Sequence, residues 1–178
     1  MTPLSRTRRL LVALISVIAS AFIFRAQVAE ALVSRGDDQL RFGDRRSAAV
    51  YYQRALHLHP QSVIAADRLA FTMVMEHDRS SVSRGLAVAT MGLAYDSTNL
   101  TLLADRAFAE MRLGQTHAAA LDFARAGKLG HDARYASFAA RLALKSGDHV
   151  LAKREATQAL RDDPTFAPAR LLRKRILR

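Results

Sequence analysis

The sequence predicts an all-α protein, an α-solenoid of about four helix pairs with a C-terminal capping helix, preceded by one transmembrane helix. The composition favours helices, since alanine is abundant while only 7% of the 178 residues are aromatic. No segment of the sequence shows the sustained period-two alternation of β-branched residues that predicts strands. Turn residues recur about every 34 residues, the spacing expected when each repeat is one helix pair.

Residues 1–28 are predicted to be a basic n-region followed by a hydrophobic membrane anchor or signal. Residues 1–9 contain three arginines, and the fifteen residues of Leu10–Phe24 include nothing more polar than serine. This is the layout of a secretory signal, and it is short for a spanning helix, which needs roughly 20 residues. The residues that follow are compatible with a helix, and Arg25 can extend its guanidinium to the membrane interface. We therefore favour an uncleaved anchor that continues into the first repeat.

Two alternatives for this segment stay open. Cleavage after the A-x-A site at residues 29–31 would leave a periplasmic protein but would remove the start of the first repeat helix. A buried helix of a soluble protein fits poorly, because the segment is uniformly apolar and adjoins an arginine cluster. That cluster favours a cytoplasmic N-terminus and a periplasmic repeat domain at a bacterial inner membrane. Positive charges also follow the segment, at Arg25, Arg35 and Arg41, so their number is nearly equal on its two sides.

Residues 29–178 divide into four predicted helix pairs and a terminal helix. The pairs cover residues 29–62, 63–99, 100–132 and 133–164, and the terminal helix covers 165–178. The ends of the second helices are marked by turn residues spaced 37, 34 and 33 residues apart: Pro60, Ser97, His131 and Pro164. Because the second pair is longer by about three residues, we expect a longer internal turn near residues 77–82.

Small residues recur at matching places in each pair, where they let neighbouring helices approach closely. In the second helices, Tyr52 lies between Ala48 and Ala55. The small positions of the first helices are Gly36, Ala70, Ala107 and Ala140. With the repeat spacing, these residues resemble the tetratricopeptide repeat (TPR) family over about residues 29–164. The resemblance implies a curved array of helix pairs with a non-enzymatic role in binding proteins.

The terminal segment is predicted to cap the array, because the last repeat would otherwise expose its apolar side. Its apolar residues are available to pack against that repeat. Its basic residues also suit a tail that binds a membrane or a partner, and the two roles are compatible. These basic residues are Arg170, Arg173, Lys174, Arg175 and Arg178.

The resemblance also implies a partner-binding groove, because the first helix of each pair lines the concave face in this family. The predicted groove mixes phenylalanine and methionine with arginine and lysine, which suits a peptide with apolar anchors and acidic residues. Its residues are Leu40, Arg41, Asp67, Phe71, Val74, Met75, Phe108, Met111, Arg112, Arg134, Arg141, Leu144 and Lys145. The alternative for Phe71, Phe108 and Met111 is a place in the core between repeats.

The sequence contains no motif that predicts catalysis, a cofactor or a metal. It has no cysteine, and its glycines fall at turn and packing positions. His57 and His59 are two residues apart and would project from different faces of a helix. We therefore expect a membrane-tethered, non-enzymatic scaffold without a cofactor. Its partners would be membrane or envelope proteins, in the assembly of an envelope machine by family analogy alone.

The net charge of +11 supports one alternative function. A basic surface attracts polyanions over long distances, so the chain could be a module that binds nucleic acid or anionic lipid. Nucleic acid is the less favoured partner, because a surface rich in arginine also arises without any ligand.

Overall fold

A computed structural model describes residues 6–176 of the chain, apart from the side chains of Arg6, Thr7 and Arg9. The first residues of the predicted n-region and Arg178 of the terminal segment therefore lie outside the described residues. Within the described range the secondary structure consists of nine helices: α1 (Arg6–Arg41), α2 (Arg45–Leu58), α3 (Val63–Val74), α4 (Arg79–Tyr95), α5 (Leu100–Leu113), α6 (Thr116–Gly130), α7 (Ala133–Lys145), α8 (His149–Asp162) and α9 (Ala167–Ile176). The predicted all-α fold class is confirmed.

The helices form two compact units that divide after Ala65. The first unit contains α1, α2 and the start of α3, and the second contains the rest of α3 and all later helices. In the second unit each helix from α4 to α8 contacts the next one along the chain, and α9 contacts both α7 and α8. The predicted boundary at residue 28 falls inside α1, which continues through it without a break.

Helix α1 has two different halves. The large apolar side chains of Leu10–Phe24 are each more than half exposed, whereas Ala29 and Val33 are buried. In the described range α1 is the one helix long and apolar enough to cross a membrane, with a mean hydropathy of 2.0 in its most apolar window. A signal sequence would satisfy the same length and composition, so both predictions for this segment remain.

The second half of α1 packs antiparallel to α2. The close approach occurs at Gly36, where a Cβ atom would lie 2.4 Å from the ring of Tyr52. The hydroxyl of Tyr52 donates a hydrogen bond to Asp37 Oδ1 at 2.8 Å. Nearer the apolar half, the Phe22 ring meets the His59 ring edge-on at 5.9 Å. The end of α2 therefore lies beside the residues where α1 leaves its apolar segment.

Short turns and side-chain caps define the helix ends. Gly43, Gly114 and Gly147 follow the first helices of their pairs with φ near +84°, the left-handed conformation that ends a helix. Asp44 and Asp148 then accept hydrogen bonds from backbone N–H groups of the next helix, at 3.0 and 2.9 Å. These local signals explain why the helix boundaries follow the turn residues of the sequence.

The extra residues of the second pair are distributed differently from the prediction. The turn between α3 and α4 has four residues, 75–78, while α4 has 17 residues against 14 in α2 and α8. The additional length therefore lies mostly in the helix. Gly85 and Gly92 allow α4 to approach its neighbours, since added Cβ atoms would lie 2.8 Å from Val74 Cγ2 and 2.7 Å from Leu102 Cδ1.

The core of the second unit is made largely of alanine around a few large side chains. Phe123 is fully buried, and the rings of Phe108 and Phe138 lie 4.9 and 5.4 Å from it. The small positions identified from the repeat pattern, including Ala70, Ala107 and Ala140, are fully buried. Helices α5 to α8 can therefore pack closely, because the bulk needed to fill the core comes from one aromatic cluster.

The last helix covers the end of the fourth pair. Ala169 is fully buried, and Phe166 packs against the core cluster of Ala133, Ala136 and Ala159. Leu171, expected to be available for packing, is instead 67% exposed. The capping role predicted for this helix is confirmed, since it covers the apolar side of α7 and α8.

Candidate peptide-binding face

The first helices of the second unit, α3, α5 and α7, carry most of the predicted groove residues, and Met75 directly follows α3 in the turn. The other two predicted residues, Leu40 and Arg41, lie at the end of α1 in the first unit. Leu40 is half-buried, and the exposed Arg41 forms an ion pair with Asp38 at 3.2 Å.

On α3 and in the turn that follows it, the predicted residues differ in accessibility. Phe71 and Met75 are exposed, with 41% and 36% of their surface accessible, so both can contact a partner. Asp67 is mostly buried and pairs with Arg68 at 3.4 Å. Val74 has no exposed surface and packs in a core cluster with Val82 and Ala109. Val74 therefore occupies a groove position in the repeat pattern, but its side chain packs between helices.

On α5 the predicted residues serve mainly the structure. Phe108 and Met111 are partly buried against the core cluster of α5 to α8, and Phe108 lies edge-on to Phe123. The guanidinium of Arg112 donates hydrogen bonds to the backbone carbonyl oxygens of Val74 and His77, the second at 3.5 Å. Arg112 thereby satisfies carbonyls at the C-terminal end of α3, where a positive charge is also favourable.

On α7 the predicted residues Arg134 and Arg141 open onto a pocket of about 430 Å³ between α7 and α9. The guanidinium carbon of Arg141 lies 4.9 Å from the centre of the Phe138 ring. Within the described residues Arg141 has no carboxylate partner, whereas Arg134 is held by Asp132 at 2.7 Å. Leu144 packs partly on the core and Lys145 is exposed.

Five further residues complete this pocket, and the sequence did not single them out as a site. They are mainly apolar: Ser137, Phe138, Phe166, Pro168 and Leu172. In the sequence three of them belong to the terminal segment, where apolar residues at helical spacing indicate a cap. The terminal segment covers α7 incompletely and leaves an apolar recess beside Arg141, which has no carboxylate partner within the described residues.

Two buried acids lie behind this face. Burial is the main cause that raises the pKa of Asp105 to about 7, and the negative charge of Asp67 adds to the shift. The positive charge of Arg68 opposes it. Burial, followed by the charge of Asp122, raises the pKa of Glu110 to about 7. Asp122 itself accepts two hydrogen bonds from the Arg106 guanidinium, one of them at 2.8 Å. Both raised pKa values reflect carboxyl groups that are hard to ionise inside the fold.

In the described part of the chain no group of three or more histidine, aspartate or glutamate side chains is arranged to hold a metal ion. The pocket beside α9 combines apolar side chains with the Arg141 guanidinium, a lining that suits an apolar group next to a negative charge.

Solved structures share this arrangement of helix pairs. A tetratricopeptide repeat protein from Parabacteroides merdae aligns with a TM-score of 0.71 and 19% sequence identity, over 84% of this chain and 59% of its own. The chain has the tetratricopeptide repeat fold. MamA aligns with this TPR chain at a TM-score of 0.69 and 18% identity, over 84% of this chain and 86% of its own.

A third TPR-fold neighbour is PilF of Pseudomonas aeruginosa, with a TM-score of 0.66 and 19% identity over 86% of this chain and 69% of its own. No protein-family model matches the sequence, and no curated protein matches it either. At these identities the likeness concerns the fold.

Proposed function

We propose that this TPR protein is a non-enzymatic, membrane-tethered scaffold that binds a partner protein on the first-helix face of its second unit. The observation that supports this proposal is the pocket between α7 and α9. It combines an apolar recess with Arg141, whose guanidinium has no carboxylate partner among the described residues. A peptide with an apolar side chain next to an acidic one would satisfy both parts of the pocket.

Each part of such a peptide contributes to affinity. Burial of a side chain the size of leucine contributes about 1.5–3 kcal/mol. A hydrogen bond between a carboxylate and the Arg141 guanidinium contributes about 1.5–3 kcal/mol. The exposed Phe71 on α3 and Met75 just after it provide further apolar contact area for a longer peptide. The pocket is therefore the proposed anchor, and α3 the proposed secondary contact.

The proposed tether is the apolar half of α1. Fifteen residues of helix span about 22 Å, against a hydrocarbon core of about 30 Å. The helix continues without a break beyond residue 24, and Arg25 can reach the headgroups. An exposed apolar surface of this size also favours a membrane over water. We place the repeats in the periplasm of a bacterial cell, with envelope assembly as the proposed setting.

Site-specific photo-crosslinking tests the binding face. A photoreactive amino acid at Leu172, which lines the pocket, should crosslink a partner in membranes. The Arg141→Glu variant should lower the affinity for the partner by roughly 10- to 150-fold, because it replaces a favourable charge by a repulsive one. The yield of the crosslinked product should fall accordingly. The matched control is Arg79→Glu, an exposed charge reversal at the start of α4. If Arg141→Glu leaves the product unchanged, the binding face is wrong.

Cysteine labelling tests the tether and its orientation. The chain has no cysteine, so a single Ser83→Cys substitution on the exposed side of α4 provides a unique label. We expect a membrane-impermeant maleimide to label this cysteine in cells whose inner membrane is intact. Labelling only after the inner membrane is disrupted would contradict a periplasmic repeat domain. Recovery of the protein in the soluble fraction would contradict the tether.

A further inference from the structure

The exposed side of α8 carries a second surface that shares no residue with the pocket between α7 and α9. One groove, of about 430 Å³, lies between α6 and α8, and another, of about 580 Å³, lies along α8 next to Ile176 of α9. Arg154, Gln158 and Arg161 line both grooves. The two grooves are therefore continuous, and we call this surface the α6–α8 face.

Positive charge on the α6–α8 face is largely uncompensated. Four basic side chains have no carboxylate within ion-pair distance in the described part of the chain. They are Arg125 and Lys128 on α6, and Lys153 and Arg161 on α8. The acid that lines the groove between α6 and α8, Glu155, is buried and already bound to Arg154 at 2.7 Å. Four unpaired cations beside two connected grooves repel one another, and an anionic ligand relieves that repulsion.

Exposed apolar side chains lie among these cations. Val150 is 83% exposed, and Leu121 and Leu129 are 48% and 43% exposed. Val150 and Leu121 line the two grooves themselves. Basic side chains interleaved with exposed aliphatic ones are typical of surfaces that lie at a lipid interface, where cations meet phosphates and aliphatic groups reach the acyl boundary. Among the described residues no phenylalanine, tyrosine or tryptophan lines either groove, so the face lacks the large rings on which nucleic acid bases stack.

We propose that the α6–α8 face binds the anionic phospholipid headgroups of a bilayer. The lysine and arginine side chains donate hydrogen bonds to phosphate oxygens, while Val150 and Leu121 contact the region just below the headgroups. The inference rests on the proposed tether, because a domain held at a bilayer meets the headgroups at high effective concentration. The protein-binding pocket then remains available, since its residues are different.

A fluorescent label on Val150 tests the proposal in the full chain. The Val150→Cys variant, labelled with an environment-sensitive dye, is reconstituted into phosphatidylcholine vesicles with and without phosphatidylglycerol. We expect a blue-shifted emission, and quenching by a lipid-borne quencher, only when phosphatidylglycerol is present. High salt should reverse both, because the Debye length falls to about 3 Å at 1 M. The same dye at the exposed Met75, in the turn after α3, serves as the control and should not respond.

Replacing the four unpaired cations by glutamine should abolish the response of the Val150 label, and Lys153→Gln alone should weaken it. All four side chains are exposed, so circular dichroism should be unchanged. The proposal is overturned if the emission spectrum of the Val150 label does not change when phosphatidylglycerol is added. It is also overturned if the label responds to duplex DNA or to an acidic peptide but not to lipid. Failure of the chain to enter phosphatidylcholine vesicles would instead refute the tether and thus the proposed function.

Discussion

The buried carboxyl of Asp105 predicts an unusual dependence of stability on pH. Its pKa rises from 3.8 to about 7 in the folded chain, mainly because of burial. Between these two values the folded state keeps a proton that the unfolded state has released. The free energy of unfolding therefore falls as the pH rises from about 4 to 7, and stays low above that range. A shift of about three pKa units corresponds to a loss of up to ~4 kcal/mol.

The Asp105→Asn variant isolates this effect. Asparagine has nearly the same shape and stays neutral, so the variant should resemble the wild type near pH 4 and be more stable at pH 8 by up to ~4 kcal/mol. Glu110 shifts in the same direction but is present in both proteins, so its contribution cancels in the comparison. Urea unfolding in mild detergent, followed by circular dichroism at a series of pH values, measures the difference.

The matched control for this experiment is Glu30→Gln, which removes an exposed carboxyl on α1. Its pH profile should run parallel to that of the wild type. If the profiles of Asp105→Asn and wild type are also parallel between pH 5 and 8, the carboxyl of Asp105 is ionised without cost in the folded chain. That result would refute the reasoning from burial.

Four further substitutions test the packing and its hydrogen bonds. Gly127→Ala should destabilise the chain by about 1–3 kcal/mol, because the added Cβ would lie 2.8 Å from the backbone of α7. Gly130→Ala should cost less, because its Cβ would meet only a leucine side chain at 3.2 Å. Thermal unfolding of the two variants measures which one loses more stability. Arg112→Met should leave the Val74 carbonyl without its side-chain donor and speed amide exchange at the end of α3, with no change in α8. Tyr52→Phe should cost about 0.5–1.5 kcal/mol in urea unfolding, and no loss would mean that its 2.8 Å hydrogen bond contributes nothing.

Much of the fold was predictable from the sequence because its signals are local. A glycine such as Gly43 ends a helix through its own backbone freedom, and the following Asp44 caps the next helix three residues away. The expectation of a longer turn in the second pair was less successful, since most of the extra length lies in α4. A residue count indicates how many residues are added but does not tell whether they extend a turn or a helix.

The binding face was less predictable, because accessibility depends on neighbours distant in the sequence. Phe71 and Val74 lie three residues apart on one helix, yet Phe71 is 41% exposed and Val74 is fully buried. Arg112 resembles a groove cation in the sequence, but it binds a carbonyl oxygen 38 residues away. Arg141 remains free because the structure places no carboxylate beside it within the described residues.

The sequence by itself determined the repeat spacing, the helix ends and the small residues at packing positions, because these depend on side-chain size and on backbone preferences over a few residues. Only the tertiary structure decided which arginines stay free, which carboxyl groups are buried and where α9 leaves a pocket. Those properties arise from the volume and charge that distant helices bring to one place. The same physical difference separates the fold, which the repeat pattern encodes, from the candidate sites, which the packing of α6 to α9 creates.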